Sequence, residues 1–464
     1  MKILNKYFGS RQFYKMTLGV AVPIMIQNGI TNFVGLLDNI MVGQIGTEQM
    51  SGIAIINQLL LVFNLAIFGA ISGAGIFTAQ FYGSEDEEGV RYTFRFKLLI
   101  CIGITILGIT ILSLFGDNLI QMYLKGEGNG LSVGDALGYG KQYMLIMFIG
   151  LAPFAIEQAY SGTLRECGET VVSMKAGIAA VFVNLFLNWV LIFGNLGMPE
   201  LGVKGAAIAT VISRYVQMLI VIVWTHRHSD RMPFIKNAYK TMYIPGELVK
   251  KIVIKGTPLT INEVLWASGM ASLNQCYSLR GLDAVAAINI ASTISNLFNV
   301  VFVAFGDAIA IVVGQLLGAG KYDEAKDTDR KLITFSVVLC LGLGTIMFLA
   351  APLFPMLYKT TNNVRQIATN YMRVSALFMP AWAFMHASYF TLRAGGNTIV
   401  TFLFDSAFLW AVSYPVAFML SRYTALSVIL LYVCVQAIDL IKCLVGFILV
   451  KKGVWLNNIV SEEH

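Results

Sequence analysis

Residues 23–38 read PIMIQNGITNFVGLLD, and this stretch decides how the rest of the chain is interpreted. It is mostly apolar, contains the helix-breaking Pro23 and Gly29, and ends on the carboxylate of Asp38. Seven residues within and after this stretch have counterparts 235 residues later, and six of the seven pairs are identical. The pairs are Pro23/Pro258, Asn28/Glu263, Gly46/Gly281, Phe63/Phe298, Asn64/Asn299, Gln80/Gln315 and Gly83/Gly318. The chain is therefore a duplicated unit. Its two copies differ in charge, because the position of the amide Asn28 in the first copy corresponds to the acid Glu263 in the second.

The composition is that of an integral membrane protein. Of 464 residues, 57% are hydrophobic and 13% are charged, and the mean hydropathy is +0.70. A soluble domain has about 25% charged residues. Spans of about 20 residues with short loops leave room for roughly twelve helices. We therefore predict an all-α fold of twelve transmembrane helices.

The twelve spans follow from the apolar runs, and the orientation follows from the loops between them. Of the 33 Lys and Arg residues, 23 lie in segments on the side of the N-terminus and 8 lie in loops or span ends on the other side. Cytoplasmic loops are enriched in these residues, so both termini are predicted to be cytoplasmic in a multi-pass protein of the cell membrane. The predicted spans are 16–40, 53–81, 96–116, 140–163, 171–195, 204–226, 251–276, 284–317, 332–355, 369–391, 399–420 and 425–450.

The repeat divides the chain into two halves. The longest cytoplasmic loop is basic and contains Pro233 and Pro245. We predict an N-terminal six-helix lobe over 1–226, a linker over 227–250 and a C-terminal six-helix lobe over 251–464. Because each half has an even number of spans, the copies are parallel and pseudo-symmetric about an axis near the membrane normal. A central cleft between two such bundles is the expected substrate site.

Three acids of the second half are the strongest site candidates, because ionisable groups in spans are costly and usually functional. At about 1.5 Å per residue, Glu263 lies roughly 18 Å from the cytoplasmic end of its span, Asp307 roughly 15 Å and Asp405 roughly 9 Å. If they face one another, they form an H⁺ or Na⁺ site. The other interpretation is that one or more of these acids has a structural role and is hydrogen-bonded to an amide or paired with Lys442.

The first half has one prominent acid. Asp38 lies roughly 33 Å from the cytoplasmic end of its span, so it belongs to the outer half of the membrane. It is either an ion-coupling group or a cap of the helix end, where Asp-Asn is ordinary turn chemistry. Asp439 and Lys442 are three residues apart and are predicted to form a structural pair. The secondary candidates for coupling or substrate contact are Asn28, Asn184, Asn188, Glu157 and Arg214.

Several function classes are excluded or disfavoured. The net charge of +7 does not indicate nucleic acid, because the basic residues fall in loops that flank spans. No catalytic or nucleotide-binding motif occurs, so we expect no enzyme activity and no cofactor. Without a nucleotide site, any pumping draws on an ion gradient. A channel is disfavoured because channels are usually symmetric oligomers, whereas this chain carries its pseudo-symmetry internally as a monomer.

Six stretches spread over both halves resemble the MATE (multidrug and toxic compound extrusion) family of transporters. The most specific is NLFLNWVLIFGNLGMPELGVKGAAIAT at 184–210. The others are DNIMVGQIGTEQMSGIAI (38–55), LRECGET (164–170), GTPLTINEVLW (256–266), VGQLLGAG (313–320) and LRAGGNT (392–398).

The resemblance implies a V-shaped, twelve-helix antiporter that expels organic cationic or amphipathic compounds in exchange for H⁺ or Na⁺. Asp38 matches the family's first-helix acid, Glu263 its seventh-helix acid and Asp405 an eleventh-helix acid of some bacterial members. The tenth span, PAWAFMHASYFTLR, lacks the acid that sodium-coupled members carry there. Our hypothesis is that Asp307 compensates.

The resemblance also leaves an alternative, since the wider group includes flippases for lipid-linked saccharides. A flippase would be expected to line its cavity with several cations for a pyrophosphate. Only Arg214 and Lys442 lie deep in the spans, which favours the multidrug exporter.

Overall fold

A computed structural model describes residues 6–124, 133–358 and 360–461. Side chains are described for these residues apart from 34–36, 38–40, 47–48, 122–124 and 133–136. The described chain forms twelve long helical segments joined by short connections: α1 Arg11–Gly43, α2 Thr47–Gly83, α3 Glu87–Leu124, α4 Val133–Glu166, α5 Thr170–Phe193, α6 Val203–Arg227, α7 Gly246–Ser278, α8 Leu282–Gly318, α9 Tyr322–Ala350, α10 Asn362–Ala394, α11 Thr398–Tyr423 and α12 Val428–Lys452.

These helices agree with the predicted all-α membrane fold. Among the described residues, nine of them are long and apolar enough to cross a membrane: α2–α6, α8, α9, α11 and α12. The other three long helices, α1, α7 and α10, each contain an internal proline. The repeat pair Pro23 and Pro258 lies inside α1 and α7, and both helices continue through it.

Helix α11 departs from regular α-helical geometry. Its first and last parts are α-helical, whereas Leu403–Ala407 and Leu409–Ser413 are π-helical turns. A π-helical turn forms its backbone hydrogen bonds from i to i+5 and so interrupts the regular α-helical pattern, and such turns are frequent at functional sites. Asp405 lies on the first of these turns.

The chain divides into two compact units. The N-terminal unit consists of Ile26–Thr78 and Asp86–Val253, and the C-terminal unit consists of Ile254–His464 with Met1–Met25 and Ala79–Glu85. The main division follows Val253, three residues after the end of the predicted linker. The units differ from the predicted lobes because two short segments of the first half belong to the C-terminal unit.

The first of these segments is held in the C-terminal unit by apolar packing. Ala21 and Ile24 of α1 are fully buried against α8. Ala21 packs with Phe305 and Ala308. Ile24 packs with Ala304 and Ile311. Lipid tails are as apolar as these side chains, so close van der Waals packing holds the contact.

The second segment is held by hydrogen bonds to the C-terminal tail, residues 454–461. The buried Gln80 side chain donates to the carbonyls of Ala394 (3.0 Å) and Asn457 (3.2 Å), and it accepts from the amide of Ile459 (2.8 Å). Gly318 lies so close that an added Cβ would overlap the carbonyl oxygen of Gln80. The end of α2 is therefore fixed by residues from the other end of the chain.

The predicted linker packs within the N-terminal unit. Arg95 of α3 donates to the carbonyls of Asn237 (3.0 Å), Ala238 (2.8 Å) and Tyr243 (3.0 Å). Arg91, one turn earlier, donates to the carbonyl of Phe234 (3.2 Å). Hydrogen bonds from a charged donor contribute about 1.5–3 kcal/mol each, so the linker is a bound part of this unit.

Candidate functional site

The three second-half acids predicted from the sequence lie in one region of the C-terminal unit. Glu263 is on α7, Asp307 on α8 and Asp405 on α11, and all three side chains are half-buried. Asp405, Asp307 and Arg393 act electrostatically on Glu263. Asp307, Asp405 and Arg393 of α10 thus lie within electrostatic range of Glu263.

Asp405 is held by partners on both sides of its carboxylate. Lys442 of α12 places its ammonium 3.5 Å from Asp405 Oδ1, and the Asn262 side-chain amide donates to Oδ2 at 3.0 Å. The Lys442 ammonium also lies 5.4 Å from the centre of the Phe408 ring. Asp405 thus makes both contacts of the structural interpretation, a hydrogen bond from an amide and a pairing with Lys442.

Asn262 joins α7 to the π-helical turn of α11. Its side-chain oxygen accepts from the backbone amide of Ser406 (3.2 Å), and its backbone oxygen accepts from the Ser406 hydroxyl (2.8 Å). The side-chain amide also donates to the Tyr389 hydroxyl at 3.3 Å. Asn262 is almost fully buried and satisfies polar groups of the π-helical turn.

Sequence reasoning missed Asn262, although a signal was present. It directly precedes Glu263 inside a predicted span, and an amide beside an acid at that depth requires partners of its own. Trp410 adds to the same junction, because its indole N–H donates to the carbonyl of Leu265 at 2.8 Å.

The salt bridge of Lys442 among the described residues is not to the predicted partner Asp439, although Lys442 acts electrostatically on Asp439. The ion-pair partner of Lys442 in the described structure is Asp405, on a different helix, and Asp439 interacts with both groups through longer-range charge. His386 of α10 also lies within electrostatic range of Asp405 and Lys442. Its ring packs against Phe302, with 4.8 Å between ring centres.

The acids interact by charge, and they do not form a ready metal site. Within the described residues, no three His, Cys, Asp or Glu side chains lie close enough together to hold a metal ion. Among those residues, four acids and two cations interact in this region: Glu263, Asp307, Asp405 and Asp439, with Arg393 and Lys442. Like-charged carboxylates within electrostatic range of one another suit the uptake of protons or the attraction of a cation.

The first-half candidates are arranged differently. Asp38 lies on α1, and its side chain is outside the part of the chain that the structure describes. Asn28 is half-buried on the same helix. Asn188 donates to the side-chain oxygen of Asn184 (3.2 Å), and Asn184 donates to the Thr210 hydroxyl (3.4 Å). Asn184, Asn188 and Thr210 form a polar chain that links α5 to α6.

Glu157 and Arg214 do not pair with each other. Glu157 is buried, accepts hydrogen bonds from the Ser161 hydroxyl and the Gln158 amide (2.8 Å), and also contacts the side-chain amide of Gln217. Arg214 donates to the carbonyl of Gly150 (3.1 Å), and its guanidinium lies 4.9 Å from the centre of the Phe154 ring. Both side chains bind within the helix bundle, which agrees with a packing role.

The family model MatE matches residues 23–190 and 258–420. The chain belongs to the MatE family. Its two matched segments repeat the internal duplication, and the second contains Glu263, Asp307 and Asp405.

Curated relatives match almost the whole chain. It is 24% identical over 449 residues to a probable multidrug resistance protein NorM of Thermotoga maritima, covering 96% of this chain and 94% of that protein. It is also 24% identical over 413 residues to a probable multidrug resistance protein YoeA of Bacillus subtilis, covering 88% and 87% of the two chains.

Solved structures show the same fold. A MATE crystal structure in the straight conformation matches with a TM-score of 0.84 at 20% identity, covering 98% of both chains. An outward-facing multidrug resistance MATE transporter matches with a TM-score of 0.83 at 19% identity and the same coverage. The predicted twelve-helix membrane fold and the family resemblance are confirmed.

Proposed function

We propose that the protein is a secondary active exporter of organic cationic or amphipathic compounds, driven by exchange for H⁺ or Na⁺ across the cell membrane. The observation that carries this proposal is the half-buried carboxylate of Glu263, on which two further acids, Asp405 and Asp307, and one cation, Arg393, act electrostatically. An unneutralised carboxylate inside a membrane is costly, so binding of a proton or cation there changes the energy of the conformation that contains it. The names of the relatives support export of drugs as the direction of transport.

The coupling step follows from competition for the same charge. A proton or cation at Glu263, Asp307 or Asp405 stabilises one access state, and a bound organic cation stabilises the other. A ligand shifts such an equilibrium only by its difference in affinity between the states, and a shared charge provides that difference. Asp38 is proposed as a second coupling group in the first half.

The proposed orientation places both termini in the cytoplasm. It is supported by the distribution of basic residues, of which 23 lie on that side and 8 on the other. Cationic solutes of the cytoplasm would then enter from the side on which the linker and both termini lie.

A flippase for a lipid-linked saccharide is the disfavoured alternative. It would need free deep cations to hold a pyrophosphate, whereas Lys442 is paired with Asp405 and Arg214 is bonded to the carbonyl of Gly150. The observed cations are thus used within the protein.

The test is transport of a fluorescent organic cation in everted membrane vesicles with an imposed pH gradient or Na⁺ gradient. We expect gradient-driven uptake by vesicles that contain the protein and none by vesicles that lack it. Asp323→Asn is the matched control, because Asp323 is an exposed acid at the start of α9. Normal transport by both Glu263→Gln and Asp38→Asn would show that the coupling assignment is wrong. Transport that persists without either gradient would overturn the secondary mechanism.

A further inference from the structure

The ion pair between Asp405 and Lys442 places a protein ammonium beside the carboxylate. The Lys442 side chain is 10% exposed and that of Asp405 23%, with 3.5 Å between the ammonium and Oδ1. Both groups are largely shielded from water, so each contributes to compensation of the other's charge. The ammonium is covalently tethered to α12 and cannot leave by diffusion.

The other oxygen atoms near the pair, which could coordinate a cation, also accept hydrogen bonds. Oδ2 accepts from Asn262, and the side-chain oxygen of Asn262 is occupied by the amide of Ser406. Hard cations such as Na⁺ bind through several oxygen ligands that must converge on them. At Asp405 those oxygens already have donors from the protein.

The charged groups around this pair come from four helices. Asp439 lies on α12 itself, His386 and Arg393 on α10, Glu263 on α7 and Asp307 on α8. Asp405 acts on Glu263, His386 and Asp439, and Lys442 acts on His386 and Asp439. Loss of the ammonium would therefore remove one positive charge from a group of helices that carries several carboxylates.

We propose that Lys442 is a built-in counter-ion that excludes Na⁺ from Asp405 and so determines which cation the acid cluster accepts. A proton needs no cavity or ligand shell, so it still exchanges at the neighbouring acids while the ammonium is in place. The inference deepens the proposed transport function by assigning the coupling ion as H⁺. Its test measures binding and does not require transport.

The experiment measures binding of sodium-22 to the purified full-length protein in detergent, with choline chloride at matched ionic strength. We expect little saturable binding by the wild type. Lys442→Met should bind about tenfold more or better at the same Na⁺ concentration, a change that corresponds to about 1.4 kcal/mol. Lys442→Met/Asp405→Asn should lose this gain, which places the new site at Asp405. Lys451→Met, an exposed lysine on the same helix, is the matched control.

Two results would overturn the proposal. One is saturable Na⁺ binding by the wild type that Asp405→Asn removes. The other is a folded Lys442→Met protein, eluting as one species in gel filtration, that binds no more Na⁺ than the wild type. If Lys442→Met does not fold, Lys442→Gln replaces it under the same criteria. If neither variant folds, the wild-type measurement and Asp405→Asn decide. Na⁺-driven drug export by the wild type would contradict the exclusion while leaving the export proposal intact.

Discussion

The same helix contact occurs in both halves of the protein, once without charge and once with it. Gln27 of α1 and Asn262 of α7 are 235 residues apart, the offset of the repeat, and each directly precedes the Asn28/Glu263 pair. In the first half the Gln27 side chain lies against Gly177 of α5, where an added Cβ would be 3.5 Å from Gln27 Cγ. In the second half Asn262 bonds to Asp405 of α11. Gly177 and Asp405 are each the eighth residue of their helix.

The comparison separates what the fold needs from what the second half adds. The first half makes the contact with an uncharged side chain and a glycine, so the bundle does not depend on an acid there. The second half instead holds a carboxylate, a lysine and a π-helical turn, all of which are costly inside a membrane. A costly arrangement at a position where a neutral one suffices indicates function.

The largest expected effect concerns transport. Glu263→Gln should lower gradient-driven export of a fluorescent cation by about tenfold or more, since one tenfold step corresponds to only about 1.4 kcal/mol of lost coupling. The matched change at the equivalent position, Asn28→Ala, should keep export within about twofold. Equal losses in both variants would show that the two halves are functionally alike, and the comparison would fail.

Breaking the ion pair should have the largest effect on stability. Lys442→Met is expected to lower the free energy of unfolding by about 3 kcal/mol, because it leaves a half-buried carboxylate without its counter-charge. Lys442→Met/Asp405→Asn should recover most of this loss. Denaturation in mixed micelles measures both values. An unchanged stability in the single variant would mean that the pair does not compensate its own burial.

The junction between α7 and α11 gives the next effect. Asn262→Leu should cost about 2 kcal/mol, because it removes the Asn262 partners of the Ser406 amide and Asp405 Oδ2 in a buried site. Gln27→Leu, at the equivalent position, should change stability by less than about 0.5 kcal/mol, because Gln27 is half-buried and meets Gly177 by van der Waals contact. Mixed-micelle denaturation of the two variants side by side tests the contrast, and similar costs would refute it.

The smallest effect is expected at Gly177, in the uncharged contact of the first half. Gly177→Ala should stabilise the protein by about 0.5–1 kcal/mol, because glycine is unfavourable inside a helix and the added methyl group fits. The nearest atoms to that Cβ belong to Gln27 and lie 3.5–3.8 Å away, which is ordinary contact distance. A loss of stability in the same denaturation assay would mean that the α1–α5 contact is tighter than the structure indicates.

Much of the fold follows from the sequence because hydrophobic length and the repeat are local signals. The span predicted at 284–317 is the helix Leu282–Gly318, and the span predicted at 399–420 is Thr398–Tyr423. The grouping of residues 1–25 and 79–85 with the C-terminal unit could not be predicted in this way. It depends on contacts with α8 and the C-terminal tail, which leave no periodic pattern.

The candidate site was predicted in part. Depth in the spans is enough to select Glu263, Asp307 and Asp405 as candidates, and the last two lie within electrostatic range of the first. The partner of Lys442 was assigned to Asp439 because spacing along one helix is visible in a sequence, whereas a contact across helices is not. The π-helical turn at Asp405 was also missed, since LFDSA has no sequence feature that distinguishes it from an α-helix.

The hydrogen bonds of Gln80 cannot form until late in the synthesis of the protein. Its partner Ile459 lies 379 residues further along the chain, and Ala394 lies 314 residues further. At about 5–20 residues per second, a ribosome needs roughly 20–75 s to make the intervening chain. During that interval the end of α2 must find temporary partners in water, lipid headgroups or the insertion machinery. The last eight described residues therefore complete a helix that is among the first to enter the membrane.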